Sequence, residues 1–148
     1  MRYGLILAVV VLCGGVGLWA GDDADAAKQE MAKLQGTWQV ESLVDDGQSP
    51  PADVVKTMRL VLTGDRWAMK AGDDLIASGT YTIDPAKGTI ERVHLEGQQK
   101  GQKFHGIYEL EGDTFRACWR PADKDRPTEF AGKAGSGCEL DVFQRAKP

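Results

Sequence analysis

The chain has no asparagine, only two histidines and only three cysteines in 148 residues, and it carries no excess of positive charge. Without Asn there is no N-glycosylation acceptor. A net charge of −4 argues against a nucleic-acid partner, because that binding rests on Lys and Arg neutralising phosphates. No basic stripe interleaved with aromatics runs along the chain. No Gly-rich phosphate loop is present, and Gly135-Ser136-Gly137 lacks the flanking spacing of a Gly-x-Ser-x-Gly nucleophile elbow. The carboxylate pairs Asp45-Asp46 and Asp73-Asp74 fall at turns, where Asp serves turn chemistry. No catalytic constellation emerges. The chain is read as non-enzymatic and without a cofactor.

What is present begins with one long apolar run. Residues 1–20 hold a single basic residue, Arg2, then Leu5–Leu12 extended by Gly and Val to Trp19, and no acid occurs before Asp22. That is the pattern of a secretory signal peptide, cleaved after Ala20 or after Ala26. Lipidation at Cys13 is disfavoured by the large Leu12 before it. Removing residues 1–20 takes away Arg2 and no acid, which moves the net charge from −4 to −5. The expected organisation is a leader over 1–20, an acidic lead-in over 21–29 and one domain over 30–146. The product is an exported monomer, periplasmic or secreted, with no transmembrane anchor after cleavage.

The lead-in is expected to be disordered through residue 27. Ala27–Gln35 reads as a short helix of good helix formers, with Asp25 as its N-cap and Gly36 as its stop. Met31 and Leu34, three apart, are placed to cover one end of a sheet. From Gly36 the apolar period changes to two. Strands are expected over Thr37–Leu43, Met58–Thr63, Arg66–Lys70, Asp74–Ile83, Thr89–Leu95, Lys103–Leu110, Thr114–Arg120 and Cys138–Arg145. Most joints are tight turns such as Gly64-Asp65, Gly72-Asp73 and Gly112-Asp113. Eight strands at this spacing, with no βαβ pattern, predict an all-β, antiparallel up-and-down barrel, with a sandwich as the alternative.

In such a barrel Gly36-Thr37-Trp38 opens the first strand and Arg145 ends the last. A guanidinium stacked on the Trp38 face would close one end by a cation–π contact. The expected inward set is Trp38, Leu60, Leu62, Trp67, Met69, Tyr81, Phe104, Tyr108, Phe115, Trp119, Leu140 and Val142. That bulk favours a filled core over a cavity. If the interior is open, Trp38, Trp67, Tyr81, Tyr108 and Trp119 line it. On the same alternation Cys118 lies opposite Phe115, Ala117 and Trp119, while Cys138 shares a face with Leu140 and Val142. Opposite faces of one sheet cannot be bridged without a bulge, so two isolated thiols are expected.

Several segments together resemble a family. They are Lys33-Leu34-Gln35-Gly36-Thr37-Trp38-Gln39-Val40, the Gly64-Asp65-Arg66 turn, Gly79-Thr80-Tyr81, the run Gly106 through Thr114, Arg126-Pro127-Thr128-Glu129-Phe130 and Gly135-Ser136-Gly137. Over residues 30–146 the chain is similar to the exported, lipocalin-like domain of unknown function abundant in planctomycete bacteria. The resemblance implies a lipocalin-like barrel and carries no catalytic residues. At a greater distance, Gly36-x-Trp38 with Arg145 resembles the barrel-closing pair of true lipocalins. The short Asp45–Asp53 segment in place of a large lid loop departs from them.

The remaining candidates lie outside the core. His94 and His105 sit on neighbouring strands, and with Glu91 or Glu109 they are conceivable metal ligands. Rim or surface histidines are the favoured reading, with no metal. In the long loop Pro121–Gly137, Phe130 is expected to dock over a barrel end and Arg126 to pair with Glu129. Three functions follow: a binding protein for a small apolar ligand or envelope component, a packed interaction module acting through loop 121–137, and, last, a hydrolase using His94 or His105.

Overall fold

The computed structural model describes residues 19–147. The leader read over residues 1–20 lies outside these, apart from Trp19 and Ala20, as do Cys13 and Pro148. The first element is helix α1, Trp19–Leu34. It begins well before the expected Ala27. The alanines of the lead-in are strong helix formers, and its aspartates sit near the N-terminal end of the helix dipole, so the segment is helical rather than disordered. Asp25 therefore lies inside the helix and caps nothing. Among the described residues no helix is long and apolar enough to cross a membrane.

Eight strands follow: β1 Gly36–Asp45, β2 Met58–Thr63, β3 Arg66–Ala71, β4 Asp74–Asp84, β5 Thr89–Glu96, β6 Lys103–Glu111, β7 Thr114–Pro121 and β8 Glu139–Arg145. Each neighbour pair is antiparallel, and β8 returns to β1, so the sheet is a closed barrel in sequential order. Closure removes both sheet edges. The loop between β1 and β2 holds one turn of helix, α2 Ala52–Val55, which begins within the Asp45–Asp53 segment read from sequence as a loop and runs past its end.

Strand alternation puts the expected aromatics inside. Trp38, Trp67, Tyr81, Phe104, Tyr108, Phe115 and Trp119 are buried with Leu60, Leu62 and Met69. Leu34 is fully buried and Met31 packs against the same core, so α1 covers one end of the barrel.

Three departures from simple alternation matter. A bulge at Glu41 turns Leu43, not Ser42, toward the core. Extra residues Ile76 in β4 and Leu95 in β5 form two more bulges. Beside them Leu75, Ile76 and Leu95 are exposed. The largest departure is in β8. Leu140 and Val142 face outward and are only half-buried, while Asp141 and Phe143 are buried inside. The reason is chemical, and it lies on β5.

Candidate functional site

At the α1 end, the barrel is sealed as expected. Trp38 is fully buried, and its Nε1–H donates to the Leu34 carbonyl at 2.8 Å, which ties the plug to the last turn of the helix. The Arg145 guanidinium lies 4.3 Å from the Trp38 ring centroid. It also donates to the carbonyls of Gln35 and Lys33, satisfying acceptors that a helix C-terminus leaves free. Gln35 adds a clasp: its Nε2 donates to Met31 and Gly64 carbonyls, and its Oε1 accepts from the Gly64 N–H at 2.6 Å.

The opposite end holds a second arginine, inside the wall. Ile90, Arg92 and His94 share the inward face of β5. The Arg92 guanidinium stands 4.2 Å from the Trp119 ring centroid, 5.1 Å from Phe104 and 5.7 Å from Trp67. Its Nη2 donates to Glu139 Oε1 at 3.0 Å, and its Nη1 lies 3.7 Å from Asp141 Oδ2. Trp119 Nε1 donates to the same Asp141 oxygen at 3.2 Å. A cation taken out of water needs such partners. They explain why β8 presents Glu139 and Asp141 inward and leaves Leu140 and Val142 outside.

The two carboxyls divide one negative charge. Burial pushes Asp141 well above the usual carboxylate range, and the neighbouring Glu139 charge adds to this. Burial also acts on Glu139, but the Arg92 charge and hydrogen bond outweigh it and hold Glu139 low. Glu139 is thus the more acidic of the two and faces Arg92 as its counter-charge, while Asp141 holds a proton more tightly than an ordinary carboxyl.

His94 completes the cluster. It is buried, with its ring 4.7 Å from Trp67 and 5.0 Å from Phe104, and neither ring nitrogen has a protein partner. Burial first and the Arg92 charge second lower its pKa to about 4. The rim placement expected for His94 is therefore corrected: inward alternation from Ile90 carries it into the barrel. His105 points the other way and bonds the Lys124 carbonyl at 2.6 Å. Their candidate carboxylates are engaged elsewhere, Glu91 with Arg126 and Glu109 with Arg116. The two imidazoles do not converge. Among the described residues no cluster of three or more His, Cys, Asp or Glu is placed to hold a metal.

Inside the barrel lies a cavity of about 40 Å³. Of the five expected lining aromatics, Trp67, Tyr81 and Trp119 border it; Trp38 and Tyr108 do not. Arg92 and Asp141 border it too, and Asp141 Oδ1 has no protein partner. Gly79 makes part of this packing possible. A Cβ there would sit 1.7 Å from the Val93 carbonyl and 3.0 Å from Trp67 Nε1, so only glycine lets β4, β5 and the indole approach.

Residues 122–138 form a strap along the outer wall, rooted at both ends. Arg126 Nη1 donates to the carbonyls of Gly106 at 2.7 Å and Ile90 at 3.2 Å, and its Nη2 pairs with Glu91. Glu129 pairs with Lys133 at 3.4 Å, not with Arg126, because Arg126 is spent on the β5–β6 wall. Phe130 lies against the wall rather than over a barrel end: the Arg116 guanidinium sits 4.0 Å from its ring centroid. Gly132 accepts from the Gly47 N–H at 2.6 Å, and the Cys138 carbonyl accepts from the Asp46 N–H at 2.9 Å. Both cysteines are free thiols, and they share this outer face. Cys138 does lie with Leu140 and Val142 as expected, but that face is the outside one, so the two thiols, unbridged as expected, share a face. Cys118 is buried all the same, with its Sγ donating to the Ala131 carbonyl of the strap.

Sequence reasoning missed Arg92, Glu139 and Asp141. The available signal was a basic residue at an inward β5 position, matched by two acids spaced by two on β8. No protein-family model matches the chain, and a search of curated proteins finds no match.

Proposed function

We propose that this chain is a non-enzymatic, exported barrel that acts through its outer surface, as an interaction module for an envelope protein, with the 122–138 strap as its contact face. The observation that carries this is the interior volume. A cavity of about 40 Å³ has room for a water molecule or two, whereas a dry cavity that takes up benzene is on the order of 150 Å³. The aromatics that would have lined a ligand cup pack on other core side chains, Trp38 and Tyr108 on Phe115, Trp67 on His94 and Trp119 under Arg92, and the interior charges are matched among themselves. What the molecule can offer a partner is outside. The strap is fixed at several points, yet Asp123, Lys124, Asp125, Thr128, Glu129 and Lys133 are exposed on it. Loops held on a rigid scaffold are common recognition elements.

A photo-crosslinker at Thr128, in the chain expressed in its own host, tests this. The expected result is one discrete protein adduct from Thr128 and none from Thr63, an exposed site at the far end of β2. Equal or no adducts from the two sites would contradict it. A second reading, a binding barrel for a small apolar ligand, draws on the cavity bordered by Trp67, Tyr81 and Trp119 beside the unpartnered Asp141 oxygen. It requires the interior to open. Native mass spectrometry of the chain purified from its host separates the two, since a co-purified small molecule lost on denaturation favours the second.

A further inference from the structure

The strap is rooted between two cysteines. Cys118 lies in β7 and pairs in register with Leu140; Trp119 pairs with Glu139 in the last rung of that ladder. Cys138 is the next residue out, on the same outer face and on the diagonal from Cys118. Burial pushes the Cys118 thiol up, and the neighbouring Cys138 side chain adds to that push. A diagonal in a regular ladder, about 7–8 Å, is beyond what a disulfide spans without backbone movement. Cys138 is not paired with β7, however, although its carbonyl is held by the Asp46 N–H. It follows Gly137, whose φ of 65° marks a turn, and its own N–H is bonded to the Ser136 hydroxyl rather than to β7.

We infer that Cys118 and Cys138 form a dithiol–disulfide couple that staples the two roots of the strap across the outer wall of the barrel. The inference does not depend on what the strap binds. It concerns a chain read as exported, and thiols in exported proteins meet disulfide oxidants. The two sulfurs differ in the way a stepwise exchange requires. Cys138 is half-exposed, whereas Cys118 is fully buried beneath Ala131. Cys138 thiolate attacks one sulfur of an external disulfide, such as oxidised glutathione, and expels one glutathione thiolate. This leaves a mixed disulfide on Cys138. Cys118 then gives up its proton to solvent and attacks Cys138 Sγ, expelling the second glutathione. Two protein thiols are oxidised, and one external disulfide is reduced to two thiols. The burial that pushes the Cys118 thiol up makes it a poor first nucleophile, and its neighbour positions it for the second step.

The test treats the reduced, folded full chain with oxidised glutathione and maps its tryptic peptides. The expected product joins the Cys118 and Cys138 peptides with loss of two hydrogens, and dithiothreitol reverses it. Closing this loop should raise the thermal midpoint by on the order of 5 °C. Cys138→Ser, at a half-exposed site outside the ladder, should stay folded and lose that rise. Cys138 trapped as a stable glutathione adduct, a Cys138–Cys138 dimer, or an equal rise in Cys138→Ser would each overturn the inference.

Discussion

The barrel uses arginine over tryptophan twice, at opposite ends and at different depths. Arg145 stands 4.3 Å from the Trp38 ring centroid and Arg92 stands 4.2 Å from that of Trp119. The stacking distance is the same, but the surroundings are not. The Arg145 side chain is one third exposed, and its charge is met by helix carbonyls and an exposed Asp113 at 3.5 Å. The Arg92 side chain is 11 % exposed, and it is met by Glu139 and Asp141 from inside the barrel. A surface guanidinium can leave part of its solvation to water. A buried one cannot, and its need for carboxylates reaches across the barrel to set which face of β8 turns inward. The lesson is that a cation–π pair is inexpensive at a rim and demanding in a core.

Substitution should separate the two ends. Arg92→Met leaves Glu139 as an unpaired buried charge and should cost about 3–5 kcal/mol in urea unfolding at neutral pH. A loss of only about 1 kcal/mol would erase the distinction of depth. Next is acid. His94 is neutral when folded, with a pKa of about 4, and its ordinary value is 6.5. Between those values the unfolded chain binds the extra proton, so stability falls as pH drops from about 6.5 to about 4, by about 3 kcal/mol from this group. Asp141 works the other way. Its folded pKa is raised above the unfolded value, so its contribution is present at low pH and is lost as pH rises through the folded value. The difference in pH slope between the wild type and His94→Phe isolates the histidine. Equal slopes would mean that His94 does not titrate as its burial requires. The smallest effect belongs to the rim: Arg145→Ala removes one exposed stacking contact and hydrogen bonds to carbonyls, and should cost about 1–2 kcal/mol by the same urea measurement.

The fold was legible because its signals were local. Alternation and Gly-Asp turns placed every strand within two residues of its observed ends, and the Trp38–Arg145 closure followed from position alone. The interior polar cluster was not legible for a physical reason. In β8 the apolar residues Leu140, Val142 and Phe143 fit either face, and choosing by hydrophobicity put two of them inside. The choice was made by a charge three strands away in the sheet and 47 residues away in sequence, through the Arg92–Glu139 contact. The face of Cys138 was misplaced by the same inversion, although both thiols are free as expected. The strap's anchors were hidden for a related reason: Arg126 reaches two main-chain carbonyls, and no pattern of side chains announces such acceptors.

The central claim is that Arg92 and Glu139 act as one structural unit inside a closed barrel. A double-mutant cycle of Arg92→Met and Glu139→Gln, by urea unfolding at pH 7, tests it most directly. The account predicts that Glu139→Gln recovers much of the Arg92→Met loss, with a coupling above about 1.5 kcal/mol. Losses that add within about 0.5 kcal/mol would contradict it.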